Sequence, residues 1–281
     1  LDDNSGNVPD MVDHSYRFKA PYNITPATSP TGADNFIYDS VDTSNGGYPL
    51  SGNLEPGEIT VKLRYKRKAA GNITVHHYEL GHTDELYTPS GLAGPSAEIL
   101  QGVEKQGLTV NITNRSADIP DLDFDNVDVS GAINPTTPGG AGETTLTYRT
   151  LPQSVIYYYK RKNAGNITVH HYEVGQSTEL YKPGASLTVA PEIFDGAGKR
   201  GLPENLTNRE ANIANYEYVS VDTSSAPGTV STVAAGATTV KYQSVPQSVI
   251  YRYKRKNAGN VTVNYLELKL LAKFLRDFLR T

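Results

Sequence analysis

Hydrophobic and polar residues alternate with a period of two along most of this chain. Across residues 73–79, Ile73, Val75 and His77 fall on one side of an extended backbone, and polar residues fall between them. The same alternation of Val, Ile and Tyr returns across 155–160. β-branched and aromatic residues at this period fit a half-buried pleated surface. The pattern predicts a mainly β chain with these recurring Val, Ile and Tyr positions in its core.

One strand sequence recurs at a fixed spacing, which indicates tandem repeats. The segment Gly-Asn-Ile-Thr-Val-His-His-Tyr-Glu at 71–79 returns unchanged at 165–173 and in altered form at 259–267, so both steps are 94 residues long. A repeat of this length holds enough chain for a core of its own. In each complete repeat we expect four or five strands, with at most one short helix near 96–100.

The repeats divide the chain into four segments. We assign a partial or degenerate repeat to 1–69, complete repeats to 70–163 and 164–257, and the start of a further repeat to 258–281. Serial modules contact mainly their neighbours, so we expect tandem, elongated repeats.

The end of the chain departs from the repeat pattern. Within 268–281, Leu271, Phe274 and Phe278 trace one helical stripe, and charged residues lie elsewhere. This spacing predicts a C-terminal amphipathic helix. We interpret it as an appended segment, and the alternative is a native helix that binds a partner or a membrane surface.

Three segments of the complete repeat resemble a known family. The opening Ile-Thr-Val-His-His-Tyr-Glu at 167–173, the central Tyr-Glu-Tyr-Val-Ser-Val at 216–221 and the closing Ser-Val-Ile-Tyr-Arg-Tyr-Lys at 248–254 resemble the mucin-binding-protein (MucBP) repeat of Gram-positive surface proteins. Asn215 stands where that repeat usually has glycine. The resemblance implies ubiquitin-like β-grasp units in a bacterial cell-wall adhesin, and it brings no catalytic residues.

Composition and charge narrow the classes of function. The chain has no Cys, which excludes disulfides, thiolate nucleophiles and Cys-ligated metals. Its 26 Lys and Arg against 30 Asp and Glu give a net charge of −4, which argues against nucleic-acid binding. The sequence contains no nucleophile elbow, phosphate-binding loop or zinc-protease motif. We therefore expect no enzyme activity.

A basic tetrad, Tyr-Lys-Arg-Lys, closes each repeat. We interpret its cations first as solvated linker charges that protect a sheet edge from wrong pairing. The alternative is a patch that binds sialylated or sulfated glycans or an anionic wall polymer, with tyrosine as stacking surface. The candidate glycan-binding residues are Tyr65, Lys66, Arg67, Lys68, Tyr159, Lys160, Arg161, Lys162, Tyr253, Lys254, Arg255 and Lys256.

Two further clusters suggest metal ions. Asp121, Asp123 and Asp125 share one face of an extended segment, and calcium prefers several oxygen ligands, so they are a candidate calcium site. The favoured alternative is a solvated acidic edge. Neighbouring His76 and His77 point to opposite faces of a strand, so we expect no zinc site and interpret them as surface or core-edge residues.

These observations lead to one expected function and one alternative. We expect a fragment of a secreted or wall-attached adhesin, interior or processed, whose repeats bind host mucin or anionic glycans, serve as a stalk, or do both. The alternative is a purely structural spacer, or a self-assembling surface-fibre subunit, without a ligand of its own. We expect no cofactor apart from the candidate calcium, no nucleic-acid partner, and membrane contact only through a helix at 268–281.

Overall fold

Seventeen β-strands and one short 3-10 turn make up the described secondary structure. The structure is a computed structural model that describes residues 19–136 and 138–263. No α-helix occurs in those residues, and in them no helix is long and apolar enough to span a bilayer. The chain divides into two units, the first comprising 1–163 with 198–200 and the second 164–197 with 201–281.

The partial repeat contains two antiparallel strand pairs. Its strands are β1 (Pro21–Asn23), β2 (Phe36–Asp42), β3 (Ser51–Asn53) and β4 (Lys62–Arg67). Strand β1 pairs with β3, and β2 pairs with β4. A β-bulge interrupts the second pair opposite Tyr65 and Arg64. This repeat lies in the same unit as the first complete repeat.

The first complete repeat is built around a mixed four-stranded sheet. Its strands are β5 (Ile73–Glu79), β6 (Glu98–Leu100), β7 (Thr109–Ile112), β8 (Leu122–Asp128), β9 (Thr144–Thr147) and β10 (Gln153–Arg161). The sheet order is β6-β5-β10-β8, and β7 and β9 form a separate antiparallel pair. The central strands β5 and β10 are parallel, whereas both edge strands are antiparallel to their neighbours.

The second complete repeat has the same sheet. Its strands are β11 (Ile167–Glu173), β12 (Glu192–Phe194), β13 (Pro203–Leu206), β14 (Tyr216–Asp222), β15 (Thr229–Thr232), β16 (Thr238–Lys241) and β17 (Gln247–Arg255). The sheet order is β12-β11-β17-β14, and β11 and β17 are its parallel central pair. Six of these strands lie 94 residues after a strand of the first complete repeat. The exception is β15, whose equivalent segment includes residue 137, outside the described residues.

The buried faces of the central strands form each core. In the first complete repeat Ile73, Val75, Val155, Tyr157 and Tyr159 are fully buried. Burying side chains of this size contributes roughly 1.5–3 kcal/mol each before the entropy of ordering them is counted. The predicted core positions are therefore confirmed for the strand face that carries these residues.

The mainly β prediction is confirmed, but the expected number of strands is wrong. The structure has six and seven strands in the two complete repeats rather than four or five. Strands of three or four residues are too short to show alternation, and β6 forms where the sequence allowed a short helix.

Ile156 lies on the opposite face from Val155 and is only half-buried. The helix expected at 268–281 lies outside the described residues.

Candidate functional site

His77 lies in the core of the first complete repeat. Strand β5 places its imidazole on the same face as Ile73 and Val75, and none of the residue is exposed. Its Nδ1 lies 2.9 Å from the hydroxyl of Tyr159 on β10. Its Nε2 lies 3.0 Å from a carboxylate oxygen of Glu98 on β6. One imidazole therefore connects the three neighbouring strands β6, β5 and β10.

The partners of His77 determine where its proton sits. A carboxylate only accepts, so Nε2–H donates to Glu98 and the neutral ring leaves Nδ1 as an acceptor. The hydroxyl of Tyr159 accepts the backbone N–H of Arg115 at 2.7 Å and donates its own proton to Nδ1. Arg115 also donates from Nε and Nη2 to the two oxygens of Glu98, at 3.0 and 2.7 Å. Both imidazole nitrogens, the Tyr159 hydroxyl and both Glu98 oxygens have partners while the imidazole is neutral.

Burial and neighbouring charges both shift the pKa values of this group. Burial lowers the pKa of His77, because the charged imidazole would lose its hydration. Burial alone would raise the pKa of Glu98, but hydrogen bonds from Arg115 and His77 outweigh it and lower that pKa. Burial also raises the pKa of Tyr159 to about 12. The group thus consists of a neutral imidazole, a neutral phenol and a carboxylate–guanidinium pair.

The second complete repeat contains the same group. His171 Nδ1 lies 2.9 Å from the Tyr253 hydroxyl, and its Nε2 lies 2.9 Å from Glu192. Arg209 donates its backbone N–H to Tyr253 at 2.7 Å. Both buried histidines are structural core residues, so the interpretation of His77 as a surface or core-edge residue is wrong. Sequence analysis missed Glu98 and Arg115 as their partners, although both recur after 94 positions, at Glu192 and Arg209.

His76 faces the other side of the sheet. Its Nδ1 lies 2.6 Å from Glu85 and 2.8 Å from the Tyr78 hydroxyl. The second oxygen of Glu85 accepts the backbone N–H of His77 at 3.1 Å. The two bonds of Glu85 hold the loop after β5 against that strand. Among the described residues, the hydrogen-bond partners of this imidazole are a carboxylate and a phenol rather than the serine hydroxyl of a catalytic triad.

The tyrosines of the basic tetrads do not face solvent in the complete repeats. Tyr159 and Tyr253 are fully buried and hydrogen-bonded to the core histidines. Their rings cannot stack on a glycan, so burial removes both from the predicted glycan-binding set. Tyr65 in the partial repeat is half-buried and packs edge-on against Tyr38, with ring centroids 5.9 Å apart.

Most cations of the tetrads are paired with carboxylates. The ion pairs are Lys66–Asp39 at 3.1 Å, Lys160–Asp125 at 3.1 Å, Arg161–Glu79 at 2.8 Å, Lys162–Asp123 at 3.6 Å, Lys254–Glu217 at 3.0 Å, Arg255–Glu173 at 3.2 Å and Lys256–Glu210 at 3.9 Å. Arg67 instead lies over the ring of Phe36 at 4.6 Å. The main chain of Lys68 bonds to Asn35 and Gln106. The tetrads that close the two complete repeats are therefore locally close to neutral, whereas the tetrad of the partial repeat has one carboxylate for its three cations.

The predicted calcium site is not assembled. Asp121 pairs with Arg200 at 3.1 Å, and Asp123 and Asp125 pair with the lysines of the tetrad. Across 19–136 and 138–263, no group of three or more His, Asp or Glu side chains is arranged to hold a metal ion. Each of the three carboxylates instead faces a cation of its own, as the favoured alternative of a solvated acidic edge expects.

Two open clefts lie on the described part of the chain. The first, of about 330 Å³, is lined by residues that include Asn35, Gln106 and Leu151. The second, of about 360 Å³, is lined by residues that include Tyr181 and Tyr216. Neither holds the convergent polar groups around an apolar pocket that are typical of a small-molecule site.

Neither a scan against protein-family models nor a search of the curated proteins finds a match for this chain. The resemblance to the MucBP repeat therefore stays a prediction that depends on the strand sequences described above.

Proposed function

We propose that this chain is a non-enzymatic stretch of a secreted or cell-wall surface protein, in which tandem β-rich repeats act as a stalk. One observation carries the proposal: the strands and the buried His–Tyr–Glu–Arg group of one complete repeat recur in the next at the same spacing and within 0.1 Å in their hydrogen bonds. Repetition of a whole module extends a chain, whereas a catalytic site needs to occur only once.

The linker at 68–72 supports a spacer. Ala70 donates its backbone N–H to Gly102 at 2.8 Å, and the Lys68 carbonyl accepts the N–H of Gln106 at 3.2 Å. The Asn72 side chain accepts the N–H of Gly102 at 2.9 Å. These bonds tie the short connection between the partial and first complete repeats to one loop. It therefore differs from a flexible Gly/Ser linker, which leaves its backbone to water.

The finer assignment is a ubiquitin-like β-grasp unit of the MucBP type. The mixed sheet with a parallel central pair supports it, as do the three strand sequences that carry the resemblance. Against it, the described residues of the complete repeats form no α-helix to pack on that sheet. The C-terminal amphipathic helix at 268–281 stays a prediction from sequence.

Binding of host mucin or anionic glycans is the second candidate. The side chains of Lys66, Lys160 and Lys254 are 53%, 61% and 63% exposed. Exposed ion pairs are weak, so these ammonium groups can exchange a carboxylate for a sulfate or sialate. Self-association into a fibre is the remaining alternative, and analytical ultracentrifugation of the full chain tests it.

Solution scattering of the full chain tests the stalk. A compact chain of this length has a radius of gyration of about 19 Å. The stalk proposal expects a clearly larger value that does not change with protein concentration. A value near the compact one would contradict it.

A glycan array with the full chain tests the second candidate. Reversing Lys66, Lys160 and Lys254 to Glu should abolish binding to sulfated or sialylated glycans, and raising the salt concentration should weaken it steeply. The matched control reverses Lys62, Lys182 and Lys241, which lie outside the tetrads, and should retain binding. An array without hits favours the pure spacer.

A further inference from the structure

We propose that the parallel strand pair at the centre of each complete repeat, β5–β10 in the first and β11–β17 in the second, bears tension along the chain. The inference rests on the proposed stalk function and names the elements that would make a stalk resist pulling. It follows from where the chain enters and leaves each sheet.

The first and last strands of a complete repeat are direct neighbours. Strands β5 and β10 run parallel through seven paired positions, from Ile73 opposite Gln153 to Glu79 opposite Tyr159. The chain enters the repeat at the Ile73 end of this pair and leaves it at the Arg161 end. Tension along the chain therefore pulls the two strands in opposite directions along their length.

This geometry loads the strand pair in shear. Hydrogen bonds between parallel strands are evenly spaced, so a force along the strands is shared among all of them at once. A force that separates the strands from one end breaks the same bonds one after another. Rupture in shear therefore needs a higher force, and the rate of forced unfolding determines how long such a module survives under load.

Side chains add contacts across the same pair. His77 on β5 meets the Tyr159 hydroxyl on β10 at 2.9 Å and stacks on Tyr157, with ring centroids 5.5 Å apart. At the exit end, Arg161 pairs with Glu79 at 2.8 Å. Sliding the strands past each other would break these contacts together with the backbone bonds.

The second complete repeat has equivalent contacts. His171 meets the Tyr253 hydroxyl at 2.9 Å and stacks on Tyr251 at 5.5 Å. Arg255 pairs with Glu173 at 3.2 Å at the exit end of β17. The tension-bearing pair is therefore a property of the repeat rather than of one copy.

Single-molecule pulling tests the proposal directly, since the full chain has no native Cys and introduced cysteines define the attachment points. Attachment at Ala69→Cys and Asn163→Cys pulls β5 and β10 in shear. Attachment at Ala69→Cys and Leu151→Cys pulls the same pair apart from one end. All three positions are exposed and lie outside the strands. Equal thermal unfolding of the two doubly substituted chains confirms that both fold alike.

We expect a rupture force several-fold higher between Ala69 and Asn163 than between Ala69 and Leu151 at the same pulling speed. The shear event should release roughly 310–340 Å of chain, the extended length of the repeat. In shear, Tyr159→Phe should lower the rupture force more than Tyr158→Phe, which removes a hydroxyl from the opposite face. Equal forces in the two attachment geometries would overturn the proposal. That result would leave the stalk itself intact, because solution scattering tests it separately.

Discussion

The buried imidazole of each complete repeat makes the stability of that repeat depend on pH. His77 is satisfied only in its neutral form, with Tyr159 donating to Nδ1 and Nε2–H donating to Glu98. A proton added to Nδ1 would turn that atom into a donor. The Tyr159 hydroxyl would then lose its acceptor inside the core, and an unpaired buried donor costs about 1–3 kcal/mol.

Acid should therefore destabilise both complete repeats. The pKa of His77 and of His171 is lowered in the folded state from 6.5, so the unfolded chain binds these protons first. The stabilisation is fully present above pH 6.5 and is lost as pH falls from there toward the folded pKa. By pH 5 the loss reaches at most about 2 kcal/mol for each repeat.

Urea unfolding of the full chain at pH 7.5, 6 and 5 measures this loss. The lowered pKa of Glu98 acts in the same direction, but only as pH falls below 4.5. A free energy of unfolding that stays constant between pH 7.5 and 5 would contradict the assigned neutral imidazole.

Two tyrosines on the same strand should respond differently to the loss of a hydroxyl. Tyr253 and Tyr251 on β17 are both fully buried, but the Tyr253 hydroxyl bonds to His171 and Arg209. The Tyr251 hydroxyl has no hydrogen-bond partner among the described residues. Tyr253→Phe should lower the free energy of unfolding of its repeat by about 1–3 kcal/mol, whereas Tyr251→Phe should be neutral or stabilising. Denaturant unfolding of both variants provides the measurement, and equal losses would refute the assignment.

At the scale of the strands, two backbone segments lie very close together where each central strand pair begins. This contact limits which residues can stand there. Gly71 precedes β5 and donates its N–H to the Arg149 carbonyl at 2.8 Å. A Cβ at Gly71 would lie 2.3–2.6 Å from backbone atoms of Leu151 and Pro152. No side chain fits between two backbones at that distance. In the second complete repeat, a Cβ at Gly165 would clash in the same way with backbone atoms of Val245 and Pro246.

Gly71→Ala should therefore lower the free energy of unfolding of the first complete repeat. The loss should exceed roughly 1 kcal/mol, the size of the difference in backbone conformational free energy between glycine and alanine. Relief requires the start of β10 to move away from β5, which weakens the parallel pair. Gly94→Ala is the matched control, because a Cβ there has no atom within 4 Å. It should be neutral or slightly stabilising. Thermal unfolding compares the two variants, and equal melting temperatures would show that the close approach imposes no constraint.

At the scale of the whole molecule, the described residues form two separate hydrophobic cores. One is built from residues of the first complete repeat and the other from residues of the second, with no residue in common. Cooperative unfolding requires a shared core or an extensive interface. Each core lies within one of the two units into which the chain divides.

Val155→Asp should accordingly unfold the first unit and leave the second folded. A buried, unpaired carboxylate is among the most destabilising of substitutions, whereas at the half-buried Ile156 it would cost less. Calorimetry of the full chain should show one transition lost and one retained at its original temperature. Val249→Asp is the reciprocal variant and should remove the other transition. Loss of both transitions in either variant, or a lower temperature for the retained one, would refute independent units.

The period-two alternation and the 94-residue spacing were enough to predict a mainly β chain of serial modules, because strand faces and module lengths are properties of local sequence. Partners that are distant along the chain could not be predicted in that way. The tyrosine of the tetrad looked like an exposed stacking surface, yet Tyr159 is buried against His77, 82 residues away. The aspartates looked like metal ligands until strand pairing set Lys160 and Lys162 beside them. Strand order and register decide which charges meet, and these arise only when the chain closes its sheet.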